Sequence, residues 1–195
     1  MKKRKIECMK KLFFVVLLVS SSLKAETFSG YYVTNTFDTI HCDISLMRKH
    51  IDFYDFSRVT KNVNLVDREG VKKFKPHEII CFTINIPDKG IHKFVSLKED
   101  KKKFFHEIIN GKISLYKIYS LHPYDGSLAI IPVALKDNKL VYLNVANRKQ
   151  RISNLLKDNP VLLEKWKTTT FNAWTGSWFD TTEIEEYIRE YNKCE

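Results

Sequence analysis

Between Thr27 and Ala146 apolar side chains recur mostly at every second position, and this alternation dictates a β-rich fold. A strand turns successive side chains to opposite faces, so a period of two buries one face and wets the other. Phe28 to Thr34 reads as a strand rich in Tyr and Val. Thr39 to Leu46 sets Ile40, Cys42, Ile44 and Leu46 against Thr39, His41, Asp43 and Ser45, the pattern of a half-buried strand. Asn62 to Val66 repeats it with Val63 and Leu65. Glu78 to Ile86 is apolar on both sides and predicts a central strand.

Turn chemistry separates these runs. Pro87-Asp88-Lys89-Gly90 opens with Pro and closes with Gly, feeding a strand from Ile91 to Leu97. Asn110-Gly111 predicts a two-residue hairpin joining Phe104–Ile109 to Lys112–Leu121. Tyr124-Asp125-Gly126-Ser127 and Asp137-Asn138 punctuate two more strands, Leu128 to Leu135 and Leu140 to Val145. Short strands on tight turns predict an antiparallel meander, as a sandwich, a roll or a partly open barrel.

Near Asn147 the period changes to that of a helix. Arg148 to Lys157 places Ile152, Leu155 and Leu156 on one side. Asn159-Pro160 supplies a cap and a Pro at the first helical position for a short helix through Trp166. In residues 180–193, Asp180 is the expected cap, with Glu183 three positions on. Ile184, Tyr187, Ile188 and Tyr191 form the i, i+3, i+4, i+7 stripe that would close over the sheet, and Glu185 falls on the opposite side. The expected class is therefore α+β, with a β-rich part over 26–146 and two or three C-terminal helices over 147–195, together one globular domain.

The first 25 residues stand apart. Lys10 and Lys11 precede the eight-residue apolar run Leu12–Val19, and small residues lead to Ala25. This is the pattern of a secretory signal peptide cleaved after Ala25, with Met9 the more natural start. Eight apolar residues fall short of the ~20 that span a bilayer. The expected address is the periplasm, the cell surface or the medium. Removing the segment changes the charge argument. Of 33 Lys+Arg and 23 Asp+Glu it carries seven bases and one acid, so 26 bases and 22 acids remain and the net charge falls from +10 to +4. That balance lacks the dense basic stripe of nucleic-acid binding. Lys72-Lys73-Phe74-Lys75 and Lys101-Lys102-Lys103 read first as solvated strand edges or a turn, with phosphate or lipid-headgroup contacts the alternative.

Beyond the leader the chain has Cys42, Cys81 and Cys194. The favoured reading is of buried free thiols acting as small hydrophobes. A Cys42–Cys81 disulfide is the alternative, closing a loop of about 40 residues and contributing ~4 kcal/mol in the chain-entropy account.

Catalytic signatures are missing. His41, His50, His77, His92, His106 and His122 are scattered, with no H-x-x-x-H and no C-x-x-C, so no metal ligand set is assigned. In His41-Cys42-Asp43 the thiol lies on the opposite face of its strand from its neighbours. Neither a G-x-S-x-G elbow nor a Gly-rich phosphate loop occurs, and no catalytic residue or cofactor is assigned. Residues 166–179 concentrate all three Trp with Phe171 and Phe179. Inward packing of Phe171, Trp174 and Trp178, spaced three and four apart, is the favoured reading. The alternative is an exposed platform of Trp166, Phe171, Trp174, Trp178 and Phe179, the best binding candidate in the sequence.

Three short motifs carry a resemblance. Gly30-Tyr31-Tyr32-Val33-Thr34 with Asp38-Thr39-Ile40 resembles the GY-[IV]-V-T…GDTI opening of secreted envelope proteins of Bacteroidota-type bacteria, with Phe37 where that opening has Gly. Phe104-Phe105…Asn110-Gly111-Lys112-Ile113-Ser114-Leu115-Tyr116 is similar to their F…L-x-G-K-x-x-LY hairpin, and Ile188…Tyr191-Asn192-Lys193-Cys194 to their closing YN-x-C. The resemblance implies an exported envelope protein, of a group sometimes fused to outer-membrane β-barrels, and supplies no catalytic residues. The function expected from all of this is non-enzymatic binding of an envelope protein, glycan or lipid. A small hydrolase using a carboxylate pair and a structural accessory subunit are the alternatives.

Overall fold

The computed structural model describes residues 25–50, 53–67, 69–143, 147–169 and 181–193. The leader to residue 24, the cap Asp180 and Cys194 lie outside them. The strands are β1 (Ala25–Thr34), β2 (Thr39–His50), β3 (Phe53–Tyr54), β4 (Val63–Asp67), β5 (Gly70–Phe74), β6 (Ile79–Ile86), β7 (Gly90–Leu97), β8 (Asp100–Ile109), β9 (Ser114–Leu121), β10 (Leu128–Lys136) and β11 (Lys139–Tyr142). The helices are α1 (Ser57–Lys61), α2 (Arg148–Leu155), α3 (Pro160–Thr168) and α4 (Thr182–Lys193).

Every pairing is antiparallel, in the order β11-β10-β9-β8-β7-β6-β1-β2-β4-β5, with β3 added beside β2. The sheet is a meander that does not close into a barrel. It departs from a simple meander at β1, which inserts between β6 and β2. The twice-buried run predicted for Glu78–Ile86 becomes β6, flanked by β1 and β7. Gly30 lets β1 and β6 approach: a Cβ there would stand 2.0 Å from the Thr83 carbonyl oxygen.

Register sorts the side chains into two faces. Phe28, Tyr32, Cys42, Ile44, Phe82, Ile84, Phe94 and Phe104 share one buried cluster, with the Phe82 and Phe94 rings stacked at 4.9 Å. Cys81, Val95, Phe105, Tyr116, Ile118 and Val133 form another on the reverse face. Cys42 pairs with Gly30 and Cys81 with Val33, so the two thiols point to opposite sides of the sheet. Both are free, which rules out the Cys42–Cys81 disulfide and leaves the buried-thiol reading. Burial, with the carboxylates of Asp43 and Asp67 adding to it, pushes the Cys42 thiol up to about 11.

The helices pack as the stripe predicts. Ile184, Tyr187, Ile188 and Tyr191 are buried against Ile109, Leu115 and Ala134 of the sheet and against Ile152, Leu162 and Trp166. Asn159 caps α3 through its side-chain oxygen, which accepts from the Leu162 N–H at 3.1 Å, with Pro160 opening the helix. Lys136, 8% exposed, donates to the Leu155 carbonyl at 2.6 Å and to Asp158 at 2.7 Å, fixing the end of α2 to β10. No helix among the described residues is long and apolar enough to cross a membrane.

Three local expectations need correction. Residues 110–113 form a four-residue connection between β8 and β9, where a two-residue turn was expected, because a bulge after Glu107 shifts the register. Glu185 is not a free solvent acid: it lies 2.9 Å from Lys117 of β9 and accepts from the Thr181 hydroxyl at 2.6 Å. The elements β3, α1 and β5 carry too short a pattern for periodicity to find them.

Candidate functional site

The chain between β2 and β4 builds a cleft. Asp55 is buried and its Oδ1 accepts from the Ser57 N–H at 2.9 Å and the Ser57 hydroxyl at 2.5 Å, which turns the chain into α1. Phe56 and Val59 anchor that short helix. Val59 is 2% exposed, and the Phe56 ring lies 5.2 Å from Tyr119 and 5.5 Å from Phe94. With its apolar side held in the core, α1 turns Ser57, Arg58 and Lys61 to a cleft of about 600 Å³. Ser45 and Leu46 of β2, Asn62, Asn64 of β4, Lys73 of β5, and Tyr119, Ser120 and Leu121 of β9 complete the lining. That volume falls within the ~300–1,000 Å³ of small-molecule sites.

The electrostatics of the lining are one-sided. Arg58, Lys61 and Lys73 face one carboxylate, Asp55, so three positive charges against one negative leave +2. Arg58 is only loosely paired, its Nε 3.9 Å from Asp55. Lys61 and Lys73 make no ion pair among the described residues, whereas Lys93, Lys117, Lys136 and Lys165 each sit on a carboxylate. The side chains of Ser45, Asn62, Asn64 and Ser120 likewise make no hydrogen bond within the described residues. Hydroxyl, amide and ammonium side chains thus border one concavity, with hydrogen-bonding capacity that no partner among the described residues takes up.

Beneath the cleft runs a chain of buried polar groups. The Tyr119 hydroxyl lies 2.7 Å from Nδ1 of His106, and Nε2 of His106 lies 3.2 Å from Nδ1 of His92. Nε2 of His92 is buried without a hydrogen-bond partner. His106 stacks on Phe94 at 4.7 Å, and Phe56 covers both imidazoles. This aromatic box strips water from His106 and, with His92 and Lys117 nearby, lowers its pKa to about 3. Burial, then Lys89, also lowers His92. Burial raises the Tyr119 phenol. The three groups are thus neutral at neutral pH, and only two proton arrangements satisfy both hydrogen bonds. Either Tyr119 donates and the orphan His92 nitrogen carries a proton, or every proton is shifted one place along and that nitrogen is bare.

The sequence-predicted residues fall elsewhere. Trp166 is 1% exposed, donates from its indole to the Lys149 carbonyl at 3.1 Å and packs edge-on to Tyr187. It is core, because α3 turns it onto α4, and it forms no part of an exposed platform. Phe171, Trp174, Trp178 and Phe179 lie outside the described residues. His41 and Asp43 are exposed while Cys42 is buried, as strand alternation requires. Among the described residues no group of three or more His, Cys, Asp or Glu converges as a metal site would. Sequence reasoning missed the cleft entirely. Its one legible trace is that His92 and His106 keep the buried phase of Phe94 and Phe104.

No protein-family model, curated protein or solved structure matches this chain.

Proposed function

We propose that this is an exported envelope domain that binds a small polar ligand in the cleft beside α1, without chemical turnover. The observation that carries the reading is the cleft lining, where the side chains of Ser45, Lys61, Asn62, Asn64, Lys73 and Ser120 make no hydrogen bond or ion pair among the described residues. Ser45, Asn62 and Ser120 are half-buried and Lys61, Asn64 and Lys73 exposed, so the concavity offers polar groups that a ligand from outside can reach. A carboxylate-pair hydrolase finds less support, because Asp55 is the one acid among the described lining residues and its Oδ1 is already held by Ser57. Export rests on the basic head and apolar core ahead of Ala25 and on the resemblance to secreted envelope proteins.

Two measurements test the reading. Expression of the full chain in a Gram-negative host, followed by fractionation and intact-mass analysis, should yield an envelope product lacking residues 1–25. Full-length material in the cytoplasm overturns the export half. For the binding half, the processed protein is incubated with the glycan and lipid extract of an envelope fraction and analysed by native mass spectrometry. The expected result is a small-molecule adduct on the wild type that Ser120→Trp, which fills the cleft, abolishes. An adduct that survives in Ser120→Trp places the ligand elsewhere.

A further inference from the structure

We infer that the cleft beside α1 is a phosphate site, taking a phosphomonoester on a hydroxylated carrier; this rests on the binding reading above. The charge count points to a dianion. Arg58, Lys61 and Lys73 against Asp55 leave +2 in the lining, and a phosphomonoester carries about −1.5 to −2 at neutral pH. A carboxylate ligand, at −1, leaves one cation uncompensated.

Geometry places the charges on separate elements. Arg58 and Lys61 are one turn apart on α1, and Lys73 comes from β5, paired with Asn64 of β4. The cations thus border the cleft from two separate elements, and a tetrahedral anion with several acceptor oxygens can take contacts from both. Lys61 and Lys73 make no ion pair among the described residues, whereas Lys72, adjacent to Lys73, is locked to Asp67 at 3.0 Å and Glu69 at 2.5 Å. Consecutive strand residues point to opposite faces, so β5 spends one lysine on its own turn and leaves the other for the cleft. The remaining lining matches the carrier. Ser45, Asn62, Asn64 and Ser120 provide donors and acceptors for hydroxyls, and Leu121, 45% exposed, provides an apolar edge. About 600 Å³ accommodates a phosphorylated monosaccharide or the phosphomonoester head of phosphatidic acid.

The probes are glucose 6-phosphate, inorganic phosphate, glucose, and phosphatidylcholine vesicles with and without phosphatidic acid. Calorimetric titration and vesicle pelleting at low ionic strength read the binding. Glucose 6-phosphate or the phosphatidic acid vesicles should bind, with unphosphorylated glucose and plain phosphatidylcholine silent; the arm that responds assigns a soluble sugar phosphate or a lipid headgroup as the source. Lys61→Gln and Lys73→Gln should each weaken binding about tenfold, the loss expected for one charge-assisted contact. Both side chains are exposed and make no ion pair among the described residues, so unchanged melting temperatures verify that these variants fold. Lys101→Gln, an exposed lysine of β8 outside the cleft lining, should change binding less than twofold. Silence from every phosphorylated probe, or equal losses in Lys101→Gln and Lys73→Gln, overturns the phosphate assignment. Should the phosphorylated probes fail while Ser120→Trp still abolishes the envelope-extract adduct, the phosphate class falls and the cleft stands.

Discussion

Asn192 of α4 and Ile113 of the β8–β9 connection hold each other as two strand residues would. The Ile113 N–H donates to Asn192 Oδ1 at 3.0 Å, and Asn192 Nδ2 donates to the Ile113 carbonyl at 2.9 Å. A side-chain amide thus completes the hydrogen bonding of a backbone peptide 79 positions away, where the connection has left the sheet and Ile113 is fully buried. Gly111 makes room for it, since a Cβ there would stand 2.4 Å from Asn192 Nδ2.

Asn192→Ala strands the buried N–H and carbonyl of Ile113 and should cost ~1–3 kcal/mol. Gly111→Ala displaces the Asn192 side chain and should cost about the same for the same reason. The two effects share one cause, so in the Asn192→Ala background Gly111→Ala should cost close to nothing. Urea denaturation of the four proteins closes the cycle. Additive losses would show that the amide is not what ties the helix to the connection.

Phe37 makes the second case. It is 80% exposed and adopts φ +67°, the left-handed region where a Cβ is crowded. The turn around it is held by Phe37 N–H to the Thr34 carbonyl and Thr34 N–H to the Asp38 carbonyl, each at 3.0 Å. The position where the envelope-protein opening has Gly therefore keeps a glycine-like backbone here while carrying a Phe. Phe37→Gly should raise stability by ~0.5–1 kcal/mol, a shift of a few degrees in a thermal melt. Phe37→Ala retains the strained backbone and should give no such gain. Equal melting temperatures for the two variants would remove strain as the explanation.

The legible parts of the fold were those with a long periodic signal or a specific turn. β6 was readable because eight residues are apolar on both sides, and α4 because its stripe runs through four turn-spaced residues. β5 was legible only through its charge: the lysine run at 72–75 read as a solvated strand edge, and β5 is the edge strand, but with Val71 exposed hydrophobicity marks neither its start nor its register. α1 has only five residues, and its stability comes from Phe56 and Val59 packing rather than from propensity. The cleft was invisible for a related reason. It draws Ser45, Lys61, Lys73 and Ser120 from four separate segments, and such residue types, taken singly, resemble any solvated surface.

Contacts on α4 separate core from surface. Ile188, 2% exposed, packs on the sheet, and Ile188→Asp buries an unpaired carboxylate at a cost of several kcal/mol. Glu185→Ala removes the partner of half-buried Lys117 and the acceptor of the Thr181 hydroxyl, and should cost ~1–2 kcal/mol. Exposed Glu186→Ala should stay below ~0.5 kcal/mol. Chemical denaturation ranks the three. A Glu185→Ala protein as stable as Glu186→Ala would mean that the Lys117 pair contributes nothing.

The His92–His106–Tyr119 chain makes stability depend on pH in a defined direction. His106 has a pKa of about 3 in the folded protein and ~6.5 when unfolded. Above pH ~6.5 both states are neutral and the folded protein is at full stability. Between ~6.5 and 3 the unfolded chain binds a proton that the native site refuses, so stability falls as pH is lowered, by up to ~1.4 kcal/mol per pH unit for one proton. His92, also lowered, adds to the slope in the same direction. Asp67, Asp125 and Asp158 have lowered pKa values and lose their stabilising charge only nearer pH 4 and below. Urea titrations from pH 6.5 to 5 therefore isolate the histidines. His106→Gln keeps a side chain able to hydrogen-bond Tyr119 but cannot titrate, and should flatten that slope by close to one proton. If His106→Gln retains the wild-type slope, the acid sensitivity arises elsewhere and the imidazole is not held neutral by its aromatic box.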